Sequence, residues 1–468
     1  MVLPWPVRFV AVIDIGKTNA KLALVDLKTR AEVAALRQPN RPLPANGGYP
    51  GHDVHGLWDF ILDGLAELRR DHRVDAVTVT THGATALLLD AVGNLALPVL
   101  DYEFAIPEMV RQHYDVIRPD FAESGSPALP LGLNLGAQLY WLQDRYPSDF
   151  GWTTAILTYP QYWSWRLSGV MASEVTSLGC HTDLWNPHGR DFSTLVDIMG
   201  WRHLFPPIRP ANAMLGPVLP GIAGCTGLDP RTPVFCGIHD SNASLLPHLI
   251  DRKPPFAVVS TGTWVVSMAV GGRPVPLDAA RDTLVNVNAF GDPVPSARFM
   301  GGREFEQVMG GQQPAWEGAD VAAVLADRVM LMPSVVVGSG PYPDAAAGWA
   351  GGEPAGGRRF VAASFYLALM AATCLDLIGA EGEIVVEGPF AANRPFLSML
   401  AAVTGRPVAA EPDGRSTGTS IGAALLASDL RPGSASARER ALPPPPEADA
   451  LRAYAAAWKS RADRIAER

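Results

Sequence analysis

The chain has 468 residues, with 38 Lys+Arg against 47 Asp+Glu and a formal net charge of −9. Gly and Pro make up about 19 % of it, above the usual share of roughly 12 % but short of low complexity, and 48 % of the residues are hydrophobic. These figures exclude a disordered chain, and an acidic balance without a Lys/Arg cluster argues against a nucleic-acid partner. The length exceeds what one core supports, so two or three domains are expected. A small-molecule enzyme is the class that remains. Cys180, Cys225, Cys236 and Cys374 include no CxxC spacing and read as reduced thiols of a cytoplasmic protein.

Met1–Phe9 lacks the basic segment and small-residue cleavage site of a signal peptide. Residues 7–27 read VRFVAVIDIGKTNAKLALVDL: an apolar run (Phe9–Ile13), a polar turn centred on Gly16, then a second apolar run (Leu22–Leu27). That pattern predicts a hairpin. At its tip, Gly16 lets a phosphate approach the backbone, while Lys17, Thr18 and Asn19 supply ammonium, hydroxyl and amide donors. Asp14, at a strand end, is suited to hold Mg2+ through water. A plain hairpin with a polar tip fits the same residues. Gly16-Lys17-Thr18 also mimics the end of a Walker A loop, but Ala11 stands where that motif needs glycine, and a strand follows where it needs a helix.

Further along, His52 and His55 have no third ligand at metal-site spacing and read as surface histidines. Ala76–Thr81 predicts a strand followed by a glycine turn, and Trp163 and Trp165 are expected in a core. Leu204–Pro233, rich in proline and glycine, is the expected boundary between halves. The expected division is 1–235, 236–445 and a closing helical segment 446–468. After the apolar Val234–Cys236 comes Gly237-Ile238-His239-Asp240-Ser241. Asp240, at a strand end, is placed to take a proton from a substrate hydroxyl, although a lone Asp there also reads as a cap or turn residue.

Residues 256–270, FAVVSTGTWVVSMAV, repeat the first hairpin about 245 residues later, with Thr261-Gly262-Thr263 at the turn. The echo suggests two related domains. The polar centre of Pro254–Gly272 also rules it out as a membrane span. Val361–Ile378, Pro395–Val403 and the start of a helix at Gly422–Ser428 show helical spacing, and Glu383–Glu387 reads as a strand. Strands interleaved with helices predict an α/β architecture. Gly418-Thr419-Ser420-Ile421-Gly422 matches GxSxG, but no apolar strand precedes it and no histidine follows His248, so a nucleophile elbow is rejected. Pro443–Pro446 precedes an Ala-rich helix, about Ala448–Ala466, expected to pack on its own domain.

Read in order, these blocks resemble the FGGY carbohydrate kinase family within the sugar kinase/actin superfamily. Asp14–Lys21 is similar to its first phosphate hairpin and Ser260–Thr263 to its second. Glu387-Gly388-Pro389 through Asn393, continuing to Thr404–Val408, resembles its adenosine block, with Glu387 and Pro389 where the family usually has glycines. Gly418–Ala427 is similar to its closing helix. The resemblance spans about residues 8 to 428, and its flavour is nearest to rhamnulokinase- and fuculokinase-type members through His239-Asp240, Gln138 and the tract Ser173–Asn186.

The resemblance implies two RNase H-like (actin-like ATPase) domains with mixed sheets flanked by helices and a cleft between them. It implies ATP-dependent phosphorylation of a primary hydroxyl on a small sugar, a ketose such as L-rhamnulose, L-fuculose or a pentulose. Asp240 would be the catalytic base. Gly16, Lys17, Thr18, Asn19, Thr261, Gly262, Thr263, Gly388 and Asn393 would bind ATP, with the N–H groups of Gly16 and Gly262 on the phosphates. His82, Asp101, Glu103, His239 and Asp240 would bind the sugar, and Asp14 would hold Mg2+. No membrane partner is expected, and a homodimer is left open. The other reading is a non-catalytic actin-like ATPase or sugar sensor of the same fold.

Overall fold

The computed structural model describes residues 5–44, 48–410, 418–433 and 447–466. Residues 1–4 of the N-terminal stretch, the run Pro443–Pro446 and the expected boundary at 445/446 lie outside the described residues. The chain divides into two compact units. One comprises Met1–Asp251, Val285–Pro293 and Thr417–Ser434; the other comprises Arg252–Leu284, Val294–Ser416 and Ala435–Arg468.

In the first unit, β1 (Phe9–Ile15) and β2 (Asn19–Asp26) form the expected hairpin, with Ile15 opposite Ala20. β3 (Ala31–Pro39) extends it, and β4 (Ala76–Thr81) lies parallel to β1 on the other side. Beyond β4 come β5 (Met214–Pro217), β6 (Pro233–Phe235) and β7 (Ile238–His239), giving the order β3-β2-β1-β4-β6-β5 with β7 also paired to β4. Helices Val54–Asp71, Tyr159–Ser168 and Gly418–Leu425 pack against these strands. Every residue of β4 is therefore buried, its threonines included.

The expected break at 235/236 falls inside this unit. β6 and β7 lie on either side of it and both pair with β4, so a cut there would divide one sheet. The helix Asp240–Asp251 continues from β7 and packs along Gly418–Leu425. Gly422 permits that approach, because a Cβ there would run into the backbone of Ala243. The late segment thus belongs to the first unit, although the chain on either side of it is assigned to the second.

The second unit repeats the plan. β8 (Phe256–Thr261) and β9 (Val265–Val270) form the second expected hairpin. β10 (Pro293–Phe299) pairs antiparallel with β9. On the other flank, β11 (Glu383–Glu387) and then β12 (Val408–Ala410) run parallel to β8. Thr283–Val287 adds an edge strand beyond β10, and the order β10-β9-β8-β11-β12 repeats β3-β2-β1-β4-β6, so the echo seen at two turns extends to five strands of each sheet.

Helix Gly356–Leu377 runs through the core of this unit. Among the described residues it alone is long and apolar enough to cross a membrane, and most of its surface is buried against its own unit. Helix Ala448–Ala466 packs on Arg394–Thr404, as expected for a helix serving its own domain. There Trp458 Nε1 donates to the Leu331 carbonyl at 2.7 Å, and Tyr454 Oη to that of Val329 at 2.7 Å.

Candidate active site

Parallel β1, β4 and β7 end side by side, with Asp14 opposite Thr80, Ile15 opposite Thr81, and Thr81 opposite His239. The carboxyl ends of parallel strands are where open α/β sheets bind ligands. This register brings together Asp14, His82, His239 and Asp240, four of the residues singled out in the sequence. Asp240 begins its helix and is one-third exposed. Its Oδ1 accepts from Ser241 N at 2.6 Å and lies 3.3 Å from His239 Nε2. Loss of solvent pushes the Asp240 carboxyl above its ordinary value, while His82 and Ser241 pull it down.

The neighbouring histidines are neutral. Burial pushes His239 down to about 4 and lowers His82 as well. His82 Nδ1 lies 2.9 Å from the Gly83 carbonyl, which can only accept, so Nδ1 carries the proton and Nε2 presents a lone pair. That Nε2 is buried without a protein partner.

Asp101 and Glu103 approach from the turn after Leu100, beyond the strand Ala86–Leu89, and both meet Lys17. The Lys17 ammonium binds Asp101 Oδ1, lies 3.4 Å from Glu103 and sits 4.5 Å over the Tyr102 ring. Burial alone would raise the Asp101 carboxyl, but Lys17 and the Glu103 N–H outweigh it and hold it below its ordinary value. The structure thus places Lys17, expected on phosphate, against the two acids expected on sugar.

His52 is a correction to the sequence reading. His55 is exposed, but His52 is buried, with its ring 5.3 Å from that of His82 and 5.4 Å from that of Tyr159. Burial holds His52 at about 3. His52 Nε2, His82 Nε2, Tyr159 Oη and Asp101 Oδ2 are all buried without a protein partner. Unpaired buried polar atoms cost about 1–3 kcal/mol each, and these four could bond to the polar groups of a ligand. No spacing in the sequence signals His52 or Tyr159, because they converge only in three dimensions.

The tip of the first hairpin is stabilised internally. Gly16 N–H donates to the Asn19 carbonyl at 2.9 Å, so it is not free for phosphate. Asn40, which the sequence reading passed over, donates through Nδ2 to the Gly16 carbonyl and through N to that of Thr18, both at 2.8 Å. Thr18 and Asn19 bond to each other at the exposed tip. Asp14 Oδ2 accepts from Ser420 Oγ at 2.9 Å and lies 3.3 Å from Lys21 Nζ, which also reaches Glu32 at 2.9 Å. Burial pushes the Asp14 carboxyl up, against Lys21 and Ser420. Ser420 belongs to the discarded GxSxG match; its hydroxyl orients Asp14.

No group of three or more His, Cys, Asp or Glu among the described residues is arranged to hold a metal. Mg2+ at phosphoryl-transfer sites needs only one or two carboxylates beside phosphate and water. Asp14 fits that donor set through the oxygen left by Lys21 and Ser420.

In the second unit, a pocket of about 720 Å3 is lined by Gly262, Thr263, Gly302, Arg303, Phe305, Glu306, Gln313, Phe360, Pro389, Phe390, Ala392 and Asn393. Phe305 stands edge-on to Phe360 and Phe390, at centroid distances of 5.7 and 5.2 Å. Of the expected nucleotide residues, Gly262, Thr263 and Asn393 line this pocket. Gly262 N–H, however, closes its own turn on the Trp264 carbonyl at 2.9 Å. The Thr261 hydroxyl ties two strands together, donating to the Glu387 carbonyl at 2.5 Å and accepting from Phe390 N at 3.1 Å. Gly388, at φ 81°, passes so close to the Thr261 carbonyl that a Cβ would collide. Asn393 caps helix Arg394–Thr404 through Phe396 N and holds Ser364 Oγ at 2.9 Å.

Two units of like topology, each with a hairpin at its strand ends, define the actin-like ATPase fold. Residues 9–247 match the N-terminal domain of the FGGY family of carbohydrate kinases, and residues 253–436 match the carbohydrate kinase FGGY C-terminal domain. The chain belongs to the FGGY carbohydrate kinase family. It is similar to a carbohydrate kinase from Novosphingobium aromaticivorans, with TM-score 0.90 and 38 % identity over 98 % of this chain and 99 % of that one. It is 26 % identical to the L-fuculokinase of Salmonella typhi over 271 residues, 56 % of this chain and 57 % of that protein. The Probable L-xylulose kinase of Pasteurella multocida is 24 % identical over 55 % of each chain. The chain thus spans just over half the length of these curated relatives.

Proposed function

We propose that the chain is an ATP-dependent kinase that phosphorylates a primary hydroxyl of a small, uncharged ketose. The observation that carries this reading is the convergence of Asp240, His82 and His239 at adjacent strand ends, with Asp101 coming in from a loop. Asp240 takes the hydroxyl proton as that oxygen bonds to the γ-phosphorus and the bond to the β-phosphate oxygen breaks, releasing ADP. His82 Nε2 and Asp101 Oδ2 accept from secondary hydroxyls, and Glu103 adds an acceptor at the rim. Phe305, Phe360 and Phe390 supply apolar walls for a nucleobase, and Thr263 reaches phosphate. Asp14 would hold Mg2+, which neutralises phosphate charge when bound.

The charge balance supports an uncharged substrate. Lys17 already faces Asp101 and Glu103, and Lys21 already faces Asp14 and Glu32. The three buried histidines are neutral. A sugar carboxylate would meet surplus negative charge. The names L-fuculokinase and Probable L-xylulose kinase among the relatives favour a ketose.

A coupled ADP-release assay over ketoses, polyols and matched aldonic acids tests the reading. Sugar-dependent turnover is expected on an uncharged ketose, and none above the ATPase background on the acids. ATP binding without turnover on any sugar would favour a sensor instead.

A further inference from the structure

Glu174 is fully buried yet faces none of the groups assigned to substrate. It precedes the short helix Val175–Leu178 and accepts from Thr176 N at 2.9 Å and Ser177 N at 3.2 Å, an ordinary N-cap. A third bond goes beyond capping: Thr176 Oγ1 donates to Glu174 Oε2 at 2.5 Å. With its only proton committed there, the hydroxyl can act toward other groups only as an acceptor. It accepts from the backbone N–H of His239 at 3.0 Å.

His239 is the last residue of β7, its ring lies 3.3 Å from Asp240, and Asp240 is the next residue in the chain. A carboxylate outside the site is thus linked through one hydroxyl to the backbone that carries the proposed base. We infer that Glu174 and Thr176 are positioning residues, a two-member relay that fixes His239 and through it the carboxylate of Asp240. The inference rests on Asp240 being the base. Neither residue touches substrate. Their effect is geometric, and displacements of about 1 Å at a reacting group cost on the order of 10²-fold in rate.

The two roles of Glu174 can be separated. Thr176→Val removes the hydroxyl but keeps the side-chain shape and both capping N–H bonds, whereas Thr176→Ser keeps the hydroxyl. In the full chain, Thr176→Val is expected to lower kcat about 10–100-fold with the sugar KM near wild type, and to lower the melting temperature by a few degrees because the His239 N–H and Glu174 Oε2 lose their buried partner. Thr176→Ser is expected to restore kcat to within roughly 3-fold. Unchanged kcat in Thr176→Val, or equal losses of kcat and melting temperature in both variants, overturns the relay. Amide hydrogen exchange at His239 reads the same bond without any turnover, so it still decides if no sugar proves to be a substrate. Faster exchange in Thr176→Val alone supports the relay, and unchanged exchange overturns it.

Discussion

A side chain on Gly83 would begin 2.8 Å from His239 Nε2. The glycine after β4 is therefore set by its neighbour across the sheet and not by its own backbone, and the imidazole it admits stands beside Asp240. Gly83→Ala must push that ring away. We expect kcat to fall about 10–100-fold, the scale of a misplaced reacting group. Steady-state kinetics with a parallel melting curve checks this; wild-type turnover in a folded variant would contradict it.

Asp240→Asn keeps the shape of the side chain but cannot accept the proton. Turnover should fall by about 10²–10⁴-fold, while calorimetry shows sugar still bound. Near-normal turnover would reject Asp240 as the base.

His52, His82 and His239 are all held in the neutral form by burial. In the unfolded chain they protonate near pH 6.5, whereas His239 resists until about 4 and His52 until about 3. Between those limits the unfolded state binds more protons. Stability present above pH 6.5 should thus be lost steadily as pH falls. Urea midpoints at pH 7.5, 6 and 5 measure this, and His52→Asn should flatten the acid loss. A midpoint that rises on acidification would refute the account.

Glu174 has the opposite sign. Burial pushes its carboxyl from 4.5 up to about 7. The folded state then holds the proton more tightly than the unfolded one. Its contribution is complete below pH 4.5 and is lost as pH climbs through 7, a loss of about 3 kcal/mol. Glu174→Gln removes that dependence, so its stability relative to wild type should improve from pH 5 to pH 8. A constant difference across that range would show that the carboxyl does not titrate there.

Much of the fold is written locally. The hairpins at Gly16 and Gly262 come from apolar runs broken by short polar turns, and β4 and β11 fall on Ala76–Thr81 and Glu383–Glu387 as expected. Other features are not local. Proline and glycine are dense in Leu204–Pro233 and suggest a boundary, yet that stretch carries β5 and the start of β6, which pair with each other and join the sheet through β4, more than 150 positions away. The Asn393 side chain, expected on ATP, is held as a helix cap, a role already signalled by Asn393-Arg394-Pro395.

Sequence by itself determined the α/β class, the doubled plan and the identity of Asp14, His82 and Asp240 as strand-end groups, because strand propensity and turn chemistry act over a few neighbouring residues. Tertiary structure alone decided that His52 is buried beside His82, that Ser420 orients Asp14 across 406 positions, and that Glu174 reaches His239 through Thr176. Those contacts depend on strand register and helix packing, which bring together side chains that no spacing along the chain relates.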